Sequence, residues 1–192
     1  MPAQQKSGTV LYCLLLKHAK EASVAHKSYV GITNNFLKRL RQHNREITGG
    51  ARYTGMYRKI SNARWKPLYI IKGFRSRRFA LQFEYRLHKR ETVPASFLNS
   101  CGRFPSNNRA SVRANKLYAT FALPRVVGKA PLTSTMGNFT VYWYNKSLYQ
   151  TAIGLSYWPP YVRHKFIIDK TLNKPLVKQR KTISNKKKKR TK

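Results

Sequence analysis

Acidic residues are scarce in this chain: five Asp and Glu stand against forty Lys and Arg, which gives a formal net charge of +35 at pH 7. Such a surface repels itself unless counterions or a polyanion neutralise it. The natural partner is a nucleic acid, because Lys and Arg release the cations condensed on its phosphates. An anionic membrane is the second possibility, but no long basic amphipathic helix stands out in the sequence. The acids are Glu21, Glu46, Glu84, Glu91 and Asp169.

Cysteine and long apolar runs are also in short supply. Two cysteines, Cys13 and Cys101, argue against a disulfide framework and cannot complete a four-ligand zinc site by themselves. The apolar run from Val10 to Leu16 is far below the roughly 18 residues of a membrane-spanning helix. Residues 1–8 are polar and contain no signal-peptide core. We therefore expect no membrane partner.

The first half of the chain has the pattern of a small α/β core. The whole sequence is 41% hydrophobic and 12% aromatic, so it has the material for a packed interior. Short, apolar, β-rich runs predict strands, and apolar residues at helical spacing after an Asn or Ser cap predict helices. We predict strands over 9–16, 28–33 and 65–74, a helix from Asn34 or Asn35 to about Asn44, and a helix over 76–90.

The second half has a different character. Residues 92–168 contain no acid, basic residues recur, and Tyr and Trp crowd the stretch 142–161. Leu117–Leu123 and Phe139–Tyr144 have the pattern of strands. This part is either a small accessory domain or an extension folded against the core. Most of its aromatic residues are expected to fill a core; the alternative is a surface on which bases stack.

The end of the chain, residues 170–192, is rich in Lys and Arg and contains no acid. We predict a disordered tail for it. Its KKKKR run is typical of nuclear import signals, so the predicted location is the nucleus, with an organelle or the cytoplasm as the alternative. The predicted divisions of the chain are 8–91, 92–169 and 170–192.

A few residues of the first half carry groups suited to cutting a phosphodiester with a metal ion. That chemistry needs an acidic ligand, a cation beside the phosphate and a proton acceptor. Glu84 lies on the apolar part of the second helix, where it needs a metal ion or a salt bridge. Arg39 and His43 share one face of the first helix, which either grips a phosphate or is a solvated basic face. Tyr12 and Tyr29 lie in adjacent strands and serve either packing or catalysis.

Four motifs follow one another in a fixed order. They are VLY at 10–12, YVGITNNFLKRLRQHN at 29–44, which begins with the YVG triplet, GGARYT at 49–54 and ALQFEY at 80–85. This order over residues 8–91 resembles the GIY-YIG nuclease domain, and it is similar to the eukaryotic branch-cutting subfamily. Two departures are present: Val10 and Leu11 replace the first Gly-Ile, and two cysteines cannot form the RING-like zinc domain that the subfamily normally carries.

The resemblance implies an α/β (α+β) fold with a central antiparallel three-stranded sheet flanked by helices. It implies a DNA endonuclease with one divalent cation, Mg²⁺ or Mn²⁺, held by Glu84 together with water and substrate oxygens. Tyr12 is then the general base or water-positioning group, and Tyr29 orients the water or the phosphate. Arg39 stabilises the transition state, and His43 supports Arg39 or contacts the phosphate.

Further DNA contacts are expected from Arg41, Arg45 and Arg52. The expected partners are DNA, in repair or recombination and with branched DNA as a candidate substrate, and a scaffold protein. The alternative function is that of a non-catalytic basic nucleic-acid-binding protein, of ribosomal or packaging type, on a GIY-YIG-like fold. A third is a decayed nuclease kept for binding.

Overall fold

The computed structural model describes residues 8–17, 27–60, 63–88, 93–105, 108–122 and 137–168. Five strands form one sheet, and helices lie on both of its faces. The elements are β1 (Val10–Lys17), β2 (Ser28–Thr33), α1 (Phe36–His43), α2 (Arg52–Ile60), β3 (Arg64–Phe74), α3 (Arg77–His88), α4 (Ala95–Cys101), α5 (Arg109–Ala122), β4 (Gly137–Trp143), α6 (Lys146–Gly154) and β5 (Val162–Phe166).

The sheet has the strand order β2-β1-β3-β4-β5. Neighbouring strands are antiparallel except β4 and β5, which are parallel. β1 is buried along nearly its whole length because both of its faces are covered. Leu11 and Cys13 pack towards α3 and α5, whereas Tyr12 and Leu14 pack towards α1 and α2.

Helix α1 begins at an Asn cap, as the sequence predicts. The side chain of Asn35 accepts a hydrogen bond from the backbone N–H of Lys38 at 3.0 Å. At the other end, the Asn44 side chain donates to the carbonyl of Trp65 and accepts from its N–H, at 3.0 and 2.9 Å. The end of α1 is therefore tied to the start of β3, which fixes the residues on the last turn of α1.

The α/β class is confirmed, but the predicted three-stranded sheet is wrong, since the sheet has five strands. β4 adds to the free edge of β3, and β5 adds to β4. The strand predicted over Phe139–Tyr144 is confirmed by β4. The strand predicted over Leu117–Leu123 is wrong, because 117–122 belong to α5. There Ala114, Leu117, Tyr118 and Phe121 recur at helical spacing and are buried.

The segment after residue 92 shares the sheet with the first half of the chain. Several of its aromatic side chains fill the core, as expected: Trp143 is fully buried, and Trp158 and Tyr161 pack against the same cluster. The predicted segment boundaries near 91 and 169 fall outside the described residues and stay predictions, and so does the tail 170–192. In the described part of the chain, no helix combines the length and apolarity needed to cross a membrane.

Candidate active site

His43 stands at the centre of a buried hydrogen-bonded chain at the end of α1. Its Nδ1 lies 2.8 Å from Thr54 Oγ1 on α2, and its Nε2 lies 2.8 Å from the hydroxyl of Tyr12 on β1. The Thr54 hydroxyl donates its single proton to the carbonyl of Ala51, at 2.9 Å. His43 Nδ1–H must therefore donate to Thr54 Oγ1, which leaves Nε2 to accept the Tyr12 proton.

The charge state of His43 agrees with this tautomer. The side chain is 0% exposed. Burial, with a further contribution from the positive charge of Arg39, lowers the pKa of His43 to about 4. The imidazole is therefore neutral at pH 7 and offers Tyr12 an unprotonated nitrogen.

The phenol of Tyr12 is held in its protonated form at neutral pH. Its side chain is 1% exposed. Burial is the largest influence and raises the pKa of Tyr12 well above its usual value. A hydrogen bond from Arg39 lowers this pKa, whereas the neighbouring Tyr29 and the carboxylate of Glu84 raise it. Additional positive charge near the hydroxyl would favour the phenolate, because opposite charge stabilises the ionised form.

Arg39 is fixed beside the Tyr12 hydroxyl by three hydrogen bonds. Its Nη1 donates to the carbonyl of Gly49 at 2.9 Å and to Gln42 Oε1 at 3.1 Å. Its Nε donates to the Tyr12 hydroxyl at 3.4 Å. The guanidinium is thus oriented before any substrate binds, which suits a group that meets growing negative charge on a phosphate.

Tyr29 and Gly31 of β2 complete the wall beside Tyr12. The ring centroid of Tyr29 lies 4.7 Å from that of His43 and 6.3 Å from that of Tyr12. Gly31 is paired with Tyr12 across the two strands. A Cβ at Gly31 would lie 2.6 Å from the Tyr12 hydroxyl oxygen and 3.0 Å from the Tyr29 ring. Glycine is required here because any side chain would push the two tyrosines apart.

Glu84 lies on α3 with its side chain 20% exposed. The ion pairs of the described residues give it one partner, His88 Nε2, at 3.7 Å. The effect of its negative charge on the pKa of Tyr12 puts the carboxylate within electrostatic reach of the phenol. The sequence allows two interpretations of Glu84, a metal ligand and a salt bridge. No Lys or Arg within the described ranges forms an ion pair with it, and its role as a metal ligand stays a prediction.

The donor set suits a cation that needs few protein ligands. Within the described ranges, no three His, Cys, Asp or Glu side chains come together as a metal site. If Glu84 holds the predicted cation, it does so with one carboxylate, and water and substrate oxygens would supply the other positions. Mg²⁺ tolerates this arrangement because it keeps several of its waters.

The three arginines predicted to contact DNA lie near one another around the end of α1. Arg41 is exposed, with its Nε 3.6 Å from Glu46. Arg45 packs its guanidinium against Gly55, and its φ of 56° turns the chain out of α1. Arg45 and the exposed Arg52 line a pocket of about 450 Å³ beside the loop that holds Arg39. Their contacts to DNA stay predictions.

The sequence did not predict the groups that hold His43 and Arg39 in position. Thr54 fixes the tautomer of His43, and Gln42 and the Gly49 carbonyl hold Arg39. Thr54 belongs to the GGARYT motif, but no helix was predicted there, so nothing placed its hydroxyl against His43. Helix α2 supplies that placement, because the Thr54 side chain is fully buried on its inner side.

Comparisons with known proteins identify a family and several relatives. A family model described as the GIY-YIG catalytic domain matches residues 12–92. The structure-specific endonuclease subunit SLX1 homolog of Giardia intestinalis is 42% identical over 74 residues, which are 38% of this chain and 18% of the relative. The SLX1 homolog 1 of Trypanosoma cruzi is 30% identical over 121 residues, 62% of this chain and 19% of the relative.

A third relative extends the comparison to fungi. The structure-specific endonuclease subunit SLX1 of Ajellomyces capsulatus is 35% identical over 115 residues, which are 59% of this chain and 25% of the relative. The chain thus spans a quarter or less of the length of each of these three relatives.

Proposed function

Residues 12–92 belong to the GIY-YIG family, and on this premise we propose that the protein is a DNA endonuclease that hydrolyses phosphodiester bonds. One observation carries the proposal: a neutral, buried histidine accepts the proton of a buried tyrosine, directly beside a fixed arginine. A protein that only binds nucleic acid has no use for this arrangement. The relatives' names, which are those of endonuclease subunits, lend no support to the non-catalytic alternative.

The proton path begins at Tyr12. Its oxygen accepts a proton from the attacking water while its own proton passes along the 2.8 Å hydrogen bond to His43 Nε2. As the water oxygen bonds to phosphorus, the phosphorus–oxygen bond to the leaving nucleotide breaks, and the leaving oxygen takes a proton from solvent. The imidazolium that forms keeps its Nδ1–H on Thr54 Oγ1, so the ring does not turn. The low pKa of His43 makes this transfer unfavourable in the free protein.

Two further side chains act on the phosphate. The Arg39 guanidinium donates to the phosphate oxygens as negative charge develops on them. Tyr29, half-buried beside His43, orients the water or the phosphate. A divalent cation, Mg²⁺ or Mn²⁺, when held by Glu84, supplies Lewis-acid stabilisation of the same charge.

The substrate and partner are proposed from the relatives' names. Those names specify structure-specific endonuclease subunits, so we extend to this chain a substrate selected by its structure and a partner protein. Branched DNA as that substrate, a role in DNA repair or recombination, and a scaffold as that partner are proposed from the family resemblance of the motifs. We also propose a nuclear location on the basis of the KKKKR run at 186–190, which lies outside the described residues.

Nicking of supercoiled plasmid in the presence of Mg²⁺ tests the catalytic proposal. The wild type and Glu84→Gln are compared with Glu46→Gln, since Glu46 is the other acid of the described residues and pairs with Arg41 on the surface. We expect nicking by the wild type and by Glu46→Gln, with DNA binding but no nicking by Glu84→Gln. Equal nicking by Glu84→Gln and the wild type would contradict the assigned role of Glu84, and an inactive wild type would contradict the function.

A further inference from the structure

A second pocket, of about 280 Å³, lies between the adjoining ends of β1 and β2 and the starts of α5 and α6. Among the described residues that line it, three are cationic and none is acidic. The pocket joins the GIY-YIG segment to the later part of the chain, which is outside the family match. It is lined by Leu15, Leu16, Lys17, Lys27, Asn108, Arg109, Ala110 and Asn145.

Two helices begin at this pocket. Asn108 caps α5 by accepting from the N–H of Ser111, and Asn145 caps α6 by accepting from the N–H of Leu148, both at 3.0 Å. The N-terminal end of a helix carries a partial positive charge. The two helix starts therefore add to the charge of the pocket's Lys and Arg side chains, and the site is suited to an anion.

Aromatic side chains connect the pocket with the candidate active site. The Lys27 ammonium lies 5.5 Å from the centroid of the Tyr57 ring, whose centroid is 4.9 Å from that of Tyr53. Tyr53 stacks on Tyr29 with centroids 6.3 Å apart, and its side chain is 40% exposed. The exposed ring of Tyr53 therefore lies between Tyr29 and the cationic pocket.

Arg113 of α5 ties this helix to β2 and α3, next to the pocket. Its Nε donates to Ser28 Oγ at 2.8 Å, and its Nη1 donates to the carbonyl of Leu87 at 3.2 Å. Arg109 lies one turn earlier on the same helix. Burial and the neighbouring Tyr57 raise the pKa of Tyr53, whereas Arg109 and Arg113 lower it, so both guanidinium groups are within electrostatic reach of this ring.

We propose that this pocket binds a backbone phosphate of the DNA strand a short distance from the scissile phosphate, with an unpaired base stacked on Tyr53 in between. The proposal rests on the proposed nuclease function. Lys27 is two residues from Tyr29, roughly 7 Å along the β-strand, so one DNA strand can reach both. Aromatic stacking next to a basic groove is the usual way in which proteins hold single strands.

The salt dependence of DNA binding tests the pocket independently of cutting. In the inactive Glu84→Gln background, Lys27→Gln/Arg109→Gln is compared with Arg163→Gln/Lys165→Gln, which removes two exposed cations from β5. The probe is a DNA flap with a single-stranded arm, and a continuous duplex is the second arm of the experiment. Lys17→Gln, at an exposed position, provides a second variant of the same pocket.

For the pocket variant we expect the slope of log affinity against log salt to fall by about 1, as for the loss of one phosphate contact. We also expect about tenfold weaker binding of the flap, a smaller effect on the duplex, and the same direction of change with Lys17→Gln. Equal changes in both double variants, or an unchanged slope in the pocket variant, would overturn the proposal. Nicking is measured separately on protein with intact Glu84. If the wild type nicks DNA but the salt slope of Lys27→Gln/Arg109→Gln is unchanged, only the proposal for the pocket is refuted. If the wild type does not nick DNA, the proposed nuclease function is refuted.

Discussion

Thr54 provides a sharp test of the buried hydrogen-bonded chain, because Val has nearly the same shape and lacks the hydroxyl. In Thr54→Val the Nδ1–H of His43 loses its acceptor, whereas the carbonyl of Ala51 keeps its hydrogen bond from the N–H of Gly55. A buried polar group without a partner costs about 1–3 kcal/mol, so we expect the free energy of unfolding to fall by about that amount. Thr54→Ser keeps the hydroxyl and should restore most of this loss.

The catalytic effect follows from the tautomer. Without the Thr54 acceptor, the proton of His43 moves to Nε2, the one nitrogen that still has a hydrogen-bond partner, and Nε2 then donates to the Tyr12 oxygen instead of accepting from it. The proton path from Tyr12 is blocked, and loss of a general base typically slows a reaction by about 10²–10⁴-fold.

Single-turnover nicking and urea unfolding measure the two effects on the same variants. We expect Thr54→Val to bind DNA normally and cut it at least about a hundredfold more slowly, with the rate recovered in Thr54→Ser. Because a purely structural role would lower stability without changing the pH profile, the rate is followed from pH 6 to 9. A Thr54→Val protein that is less stable yet cuts at the wild-type rate would refute the assigned tautomer.

Three further outcomes are expected. Gly31→Ala should cut at least about tenfold more slowly, because its Cβ would lie 2.6 Å from the Tyr12 oxygen. Its free energy of unfolding should fall by about 1–3 kcal/mol, the usual cost of overpacking. Wild-type kinetics would contradict the steric argument. Because the pKa values of His43 and His164 fall to about 4 on folding, the unfolded chain binds more protons between pH 4 and 6.5. Stability should therefore be full above pH 6.5 and decline towards pH 4. Urea midpoints that do not change over this window would be inconsistent with two rings that stay neutral in the folded protein. Tyr53→Ser should weaken binding of a single-stranded arm by about 1–3 kcal/mol and Tyr53→Phe should not, as fluorescence anisotropy would reveal; equal losses would exclude stacking.

The elements predicted correctly are those whose signals are local. The cap at Asn35 and the apolar spacing of Ala80, Phe83 and Leu87 define α1 and α3 without reference to the rest of the chain. In contrast, the extension of the sheet depends on pairing between residues far apart in sequence, such as Val141 with Ile71. The apolar stretch beginning at Leu117 fits a strand or a helix in a short window, and packing of α5 against α3 decides for the helix.

In the candidate site, too, local signals could be predicted from the sequence and contacts between distant residues could not. Tyr12, Tyr29, Arg39 and His43 could be named from the order of the motifs, and the structure places them together. The expected partners of His43 were Arg39 or a phosphate, whereas its hydrogen bonds go to Tyr12 and Thr54. Those bonds depend on where α2 docks, and a short helix with Gly55 in its interior has too weak a sequence pattern to predict its position.

The most direct measurement of the central claim is the single-turnover cutting rate of Tyr12→Phe in Mg²⁺, with DNA affinity measured on the same sample. The substitution removes one buried oxygen, the atom that joins His43 Nε2 to Arg39 Nε. The proton-transfer account predicts unchanged affinity and a rate at least about a hundredfold lower. A Tyr12→Phe protein that cuts as fast as the wild type would contradict it.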